Sequence, residues 1–172
     1  MFGIILFWLS VGALAYHFVG SPLTLVLLAK VRPAPPLRPR DDARLPKATL
    51  IISAYNEEEV LEQKIENAIG LNYPEGRLEV VVADDGSADS TPEIARRYAD
   101  RGVVLHRFEP NRGKNLVLNE TMPRVSGDVI VFTDANGMYE PDALKELLSP
   151  FADPHVGSAC GELVYRNFNE NP

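Results

Sequence analysis

Five short runs of β-branched and aliphatic residues, helical periodicity between them, and polar clusters after the first four runs predict an α/β fold with a mostly parallel sheet. In such folds crossover helices bury the sheet on both faces. Ligands then bind beyond the carboxyl ends of the strands, where strand order reverses.

The chain has 172 residues, enough for one domain of modest size plus an appendage. The appendage comes first. Residues 1–29 contain no Asp, Glu, Lys or Arg, and about 20 apolar residues suffice to cross a bilayer, so this segment is a transmembrane helix candidate. A secretory signal would carry a basic start, a shorter apolar core and a small-residue cleavage site. His17 and Pro22 interrupt the run and read as tolerated interruptions. Cations gather only on the C-terminal flank, from Lys30 onward, which places the rest of the chain in the cytoplasm with one span in the cell membrane. Residues 30–47, rich in proline and basic residues, read as an extended juxtamembrane linker to a body over 48–172.

Within the body, residues 48–54 (ATLIISA) and 78–83 (LEVVVA) read as buried strands. Between them Val60, Leu61, Ile65, Ala68 and Ile69 repeat at helical spacing, ending near Gly70. Ser90-Thr91-Pro92-Glu93 has capping-box spacing and opens a helix to about Arg101. A third strand is expected at 103–108, a helix at 113–124, a fourth strand at 128–133, a helix opened by Pro141, and a fifth strand at 156–165 (VGSACGELVY). Cys160 falls in that last run and reads as a packed thiol; a single cysteine excludes an intrachain disulfide and a Cys-rich zinc site.

Net charge is -7, unevenly spread: residues 1–47 hold six basic and two acidic residues, leaving 11 and 22 in the body. A body this acidic repels nucleic acid, which needs a basic stripe. Familiar phosphate loops are absent too. No G-x-G-x-x-G follows the first strand, and Phe108 stands where a Walker A loop ending at Gly113-Lys114 needs its first glycine.

What remains is the polar set at the strand ends: Ser53 to Glu57, Asp84 to Ser87, Asn111 to Lys114, and Asp134 to Asn136. Any one alone is compatible with turn chemistry. Together SAYNEE, VVADDGSADST, NRGKNLVLN and FTDANG resemble, in order and spacing, the motifs of family 2 glycosyltransferases. The resemblance covers roughly residues 48–165, and the preceding apolar helix and basic flank also resemble the membrane-bound processive members that make polysaccharides.

The resemblance implies a GT-A fold, a Rossmann-like αβα sandwich, and inverting transfer from a UDP-sugar to a glycan or lipid-linked acceptor. It implies that Ala54, Tyr55, Asn56 and Glu57 line the nucleoside pocket and that Asp84 accepts from the uracil edge. Asp85 is implied beside it, Lys114 near the diphosphate, and Asp134 with Asn136 at the metal-binding D-x-D, holding Mg²⁺ or Mn²⁺. Asn136 departs from the family's second Asp and brings an oxygen without charge, so altered metal dependence is expected. Each of these residues also has a structural reading as turn, cap or helix start; Arg112 and His106 lean that way.

Inverting transfer needs a general base, and in the family that carboxylate comes from a later segment, before an acceptor-binding Gln-x-x-Arg-Trp. No position up to Pro172 takes that role. The chain therefore reads as part of a longer enzyme or as a donor-binding half. A non-catalytic nucleotide-sugar-binding module is the alternative, and a nucleotidyltransferase is disfavoured for want of a Gly-rich basic loop after the first strand.

Overall fold

The computed structural model describes residues 1–31, 42–162 and 164 and divides into two units, Met1–Leu37 and Arg38–Pro172. In the first, α1 (Phe2–Ala15) and α2 (Ser21–Val31) are joined by a wide helical turn over Tyr16–Gly20. The wide turn has a local cause. Pro22 lacks an N–H, and its ring conflicts with the carbonyl four residues back; there the Ser21 amide reaches back five residues to the Tyr16 carbonyl. Thr24 Oγ1 donates to the Gly20 carbonyl (2.7 Å) and Ser10 Oγ to that of Leu6 (3.0 Å), so both hydroxyls are satisfied on their own helix. The 30 residues Phe2–Val31 are long and apolar enough to cross a membrane, and none packs into a core. At 1.5 Å per residue they extend about 45 Å, beyond the roughly 30 Å of a hydrocarbon core.

The second unit is built on β1 (Ala48–Ala54), β2 (Leu78–Asp84), β3 (Val103–Arg107) and β4 (Val129–Asp134), all parallel, in the order β3-β2-β1-β4. The helices are α3 (Leu61–Ile69), α4 (Thr91–Arg97), α5 (Lys114–Thr121) and α6 (Ala143–Leu148). The chain steps outward from β1 to β3, then returns across the sheet to β4. Right-handed crossovers therefore put α3 and α4 on one face and α5 on the other. The core agrees: Leu50, Ile52, Val80, Val82 and Val131 pack with Leu61, Ile65, Ala68, Ile94, Leu144 and Leu148, and on the opposite face Ile51, Ala83 and Phe108 pack with Val117. Strand order reverses between β1 and β4, which marks their carboxyl ends as the expected ligand crevice.

At the opposite, amino end of the strands Glu79 Oε2 accepts from Thr49 Oγ1 (2.6 Å) and from the Ser126 amide (2.9 Å) and hydroxyl (3.0 Å). The turn into β4 passes so close to β1 that a Cβ on Gly127 would lie 2.7 Å from Thr49 Oγ1. These contacts tie three strands at the end away from the crevice.

Four expectations need correction. Residues 32–41 of the expected linker lie outside the described residues, but its last residues belong to the body. Leu45 is buried in the core, Tyr73 Oη donates to the Pro46 carbonyl (2.6 Å), and Arg77 donates to the Leu45 carbonyl (2.7 Å). The fifth strand is absent over 156–162, where the backbone is irregular and largely exposed; positions 163 and 165 lie outside the described residues. Cys160 in that stretch is exposed rather than packed. Ser90 makes no side-chain cap; Asp89 does the work instead, its carboxylate accepting from the Thr91 amide (3.0 Å). For the linker end a partner far along the chain, and for the helix cap a residue one position earlier, outcompetes the local pattern.

Candidate functional site

The loops after β1 and β2 lock together through reciprocal hydrogen bonds. The Asn56 amide donates to Ser87 Oγ (2.9 Å) while Asn56 Oδ1 accepts from the Ala88 amide (2.9 Å). The Glu57 amide donates to Thr91 Oγ1 (2.8 Å), and Glu58 Oε2 accepts from the Ser90 amide (2.9 Å). Asn56 adopts φ 54°, a left-handed conformation that asparagine tolerates, and this turns the chain out of β1. Tyr55 remains half exposed. The Ala54 carbonyl accepts from the Asp85 amide (3.0 Å), and the Glu57 carbonyl starts the turn into α3.

The two carboxylates after β2 are enclosed. Asp84 is fully buried: Oδ1 accepts from the Ser87 amide (3.2 Å) and hydroxyl, and Oδ2 lies 3.6 Å from Arg107 Nε with no hydrogen-bond donor among the described residues. Asp85 spends both oxygens on the next loop, accepting from the amides of Arg112 (2.8 Å) and Gly113 (2.8 Å). Gly86 between these loops has φ 73°, and a Cβ there would stand 2.9 Å from the Asn111 nitrogen. Arg112 is committed to a two-point pair with Glu120 (2.9 and 2.8 Å) over the Phe108 ring, in line with its structural reading.

The end of β4 is open. Asp134 and Asn136 are exposed on either side of Ala135, which is buried. Asp134 stands in register with Ser53 of β1, whose hydroxyl donates to its Oδ1 (3.1 Å), and Lys114, the first residue of α5, forms an ion pair with the same oxygen. The Lys114 ammonium holds the Asp134 carboxyl below the usual range. The structure thus gathers Asp134, Asn136, Lys114 and Ser53 at the β1–β4 crevice. Asp84 and Asp85 sit behind it in the packed β2 end.

Among the described residues no group of three or more His, Cys, Asp or Glu forms a ready-made metal cage. The donor set still suits a hard cation that keeps most of its shell for substrate. Magnesium-like ions are commonly held by one or two carboxylates plus phosphates, and here one exposed carboxylate and one exposed amide oxygen stand at a single strand end.

Lys64 was not anticipated. It is completely buried in α3, and its ammonium donates to Thr133 Oγ1 (2.9 Å) and to the Gly137 carbonyl, 4.3 Å from the Tyr139 ring centre. Burial pushes its pKa down to about 8, with the Asp134 carboxylate partly opposing. The signal was present: Leu61, Lys64, Ile65 and Ala68 share one helical stripe.

An all-parallel sheet with a polar crevice at its switch point defines an α/β ligand-binding fold, and comparison with known proteins gives its family. Residues 49–172 match glycosyl transferase family 2, and the chain belongs to that family. It is 32% identical over 161 residues to the beta-monoglucosyldiacylglycerol synthase of Synechocystis, covering 89% of this chain and 32% of that protein. It is 27% identical over 165 residues to the poly-beta-1,6-N-acetyl-D-glucosamine synthase of Staphylococcus epidermidis, covering 94% of this chain and 37% of that one. Among solved structures it is similar to the mannosyltransferase PcManGT of Pyrobaculum calidifontis in complex with GDP-Man and Mn²⁺ (34% identity, TM-score 0.71, 86% of this chain and 44% of that one). The chain thus spans about a third of the length of these curated relatives.

Proposed function

We propose that this chain is the donor-binding part of a membrane-anchored, inverting glycosyltransferase that takes a UDP-sugar, with Mg²⁺ or Mn²⁺, and serves a glycan or lipid-linked acceptor at the cytoplasmic face of the cell membrane. The observation that carries the reading is the end of β4: Asp134 and Asn136 project from either side of a buried Ala135, at the point where strand order reverses.

A divalent cation held there by this chain's oxygens would supply charge to offset that building on the departing nucleoside diphosphate. Asp134 and Asn136 would hold it, Asn136 through a neutral oxygen. Lys114 adds a cation beside the diphosphate and keeps Asp134 ionised. Among the described residues Asp84 Oδ2 has no hydrogen-bond donor but is fully buried beside Arg107, so a nucleobase N–H would meet it only with the Arg107 side chain displaced. Tyr55, directly after β1, is half exposed and would be free to stack on a nucleobase. The names of the relatives support a lipid or glycan acceptor, and the 30-residue apolar helix supports a membrane setting.

The test is calorimetric titration of UDP, and of GDP in parallel, into the detergent-solubilised full chain with Mn²⁺, Mg²⁺ or EDTA. Metal-dependent binding of UDP, abolished by Asp134→Ala in a protein that still unfolds cooperatively, is the expected result. Binding of neither nucleotide by folded wild-type protein overturns the reading, and preference for GDP replaces the uridine donor.

A further inference from the structure

One turn of α3 reaches across to the strand-end loop of β4 at three points. Lys64 Nζ grips the loop just before Asp134, at Thr133 Oγ1 (2.9 Å), and just after Asn136, at the Gly137 carbonyl. Three residues further along the helix, Asn67 makes a two-point clasp on the backbone of Tyr139: Nδ2 donates to its carbonyl (2.8 Å) and Oδ1 accepts from its amide (2.9 Å). The Tyr139 ring lies below the ammonium at 4.3 Å.

This is an expensive way to fill a core position. An ammonium taken fully out of water is penalised, and a buried ion can often be replaced by an apolar side chain of similar volume at no loss of stability. Among the described residues the Lys64 ammonium meets neutral oxygens and a ring face, with the Asp134 carboxylate nearby. What the arrangement supplies is geometry. A residue such as Met would pack against Leu61 and Ala68 but could not bracket the Asp134–Asn136 segment.

We propose that Lys64 and Asn67 are positioning residues that hold the loop carrying Asp134 and Asn136 from beneath, fixing the spacing at which the two present their oxygens to a cation and diphosphate. The inference rests on the donor-site reading above, and its test separates the two.

The experiment compares wild type, Lys64→Met, Asn67→Ala and the exposed control Gln63→Ala as full chains in detergent. The first readout needs no ligand. Amide hydrogen exchange over residues 134–140 rises at least about tenfold in Lys64→Met and Asn67→Ala, while residues 85–91, anchored by other contacts, stay within about twofold of wild type. The second is the tightening of UDP by Mn²⁺. Lys64 and Asn67 hold the residues that flank the two ligands. Losing groups that orient metal ligands usually costs about 10–100-fold, so this tightening falls by at least about tenfold in both variants, with UDP affinity in EDTA within about twofold.

Faster exchange confined to the loop with unchanged metal-dependent affinity overturns the proposal, as does exchange that rises equally in both segments, which would make Lys64 an ordinary core residue. Wild type that shows no metal-dependent tightening overturns both the donor reading and the proposed purpose of the clasp; the exchange readout then reports only whether the clasp holds the loop. Should Lys64→Met fail to fold, Asn67→Ala, which breaks the clasp without touching a buried charge, decides on the same two readouts.

Discussion

The strands β2 and β4 flank the same central strand and both end in aspartate, in register with Ala54 and Ser53, yet their carboxylates have opposite fates. Asp84 and Asp85 are at most 5% exposed, Asp84 held by Ser87 of its own loop and Asp85 by the loop at Arg112 and Gly113, whereas the Asp134 side chain is 59% exposed. A polar cluster at a strand end is therefore two things at once. The β2 cluster binds the structure together behind the crevice, and the β4 cluster stands exposed at it.

The largest effect expected from this contrast is on stability, from Gly86→Ala. The new Cβ would press on the Asn111 nitrogen at 2.9 Å and the Phe108 carbonyl at 3.0 Å, in a backbone conformation at φ 73°. Denaturant unfolding should report a loss of about 3 kcal/mol; a loss below about 1 kcal/mol would mean that the loops are not packed there. Asp85→Asn comes next. It replaces one of the two acceptors for the Arg112 and Gly113 amides by a donor and should cost about 2 kcal/mol.

A smaller, pH-dependent effect belongs to the enclosed side. His106 pairs in register with Ala83 beside the β2 end, and burial, aided by Arg124, pushes its pKa below the ordinary value. The unfolded chain then takes up the proton more readily, so the stability contributed by neutral His106 is lost as pH falls from about 6.5 toward the lowered folded value. Thermal unfolding of wild type against His106→Leu should diverge over that window to the disadvantage of wild type. Parallel curves would show that the ring is well solvated.

The smallest stability change should come from Asp134→Asn. Its ion pair with Lys114 is exposed, and such pairs contribute about 1 kcal/mol or less. Loss of metal-dependent UDP binding at nearly unchanged stability would sharpen the contrast with Asp85→Asn, and equal destabilisation by the two would break it.

The short continuous apolar runs and the helical stripe between the first two strands made the parallel α/β architecture legible, because each pattern reports its own burial. The strand ends were legible as a group for the same reason: polar residues cannot continue a buried run. Which carboxylate stays open was not legible. That depends on the Arg112 and Gly113 amides meeting Asp85 from 27 and 28 residues away, a contact with no local signature. Lys64 was overlooked for a different reason, since a lysine on an apolar stripe is ordinarily assigned to solvent. The run at 156–162 shows the converse, an apolar stretch that gains no strand partner within the described residues.

The wide turn over Tyr16–Gly20 has a rotational consequence for the apolar helix. A regular helix advances about 100° per residue, and a turn closed over five residues instead of four inserts one residue of phase. Side chains before Tyr16 and after Gly20 thus follow two different azimuths. Any single stripe drawn along Phe2–Ala15 continues through Ser21–Val31 as a different set of residues, so the two halves of the span present separate faces to whatever surrounds them.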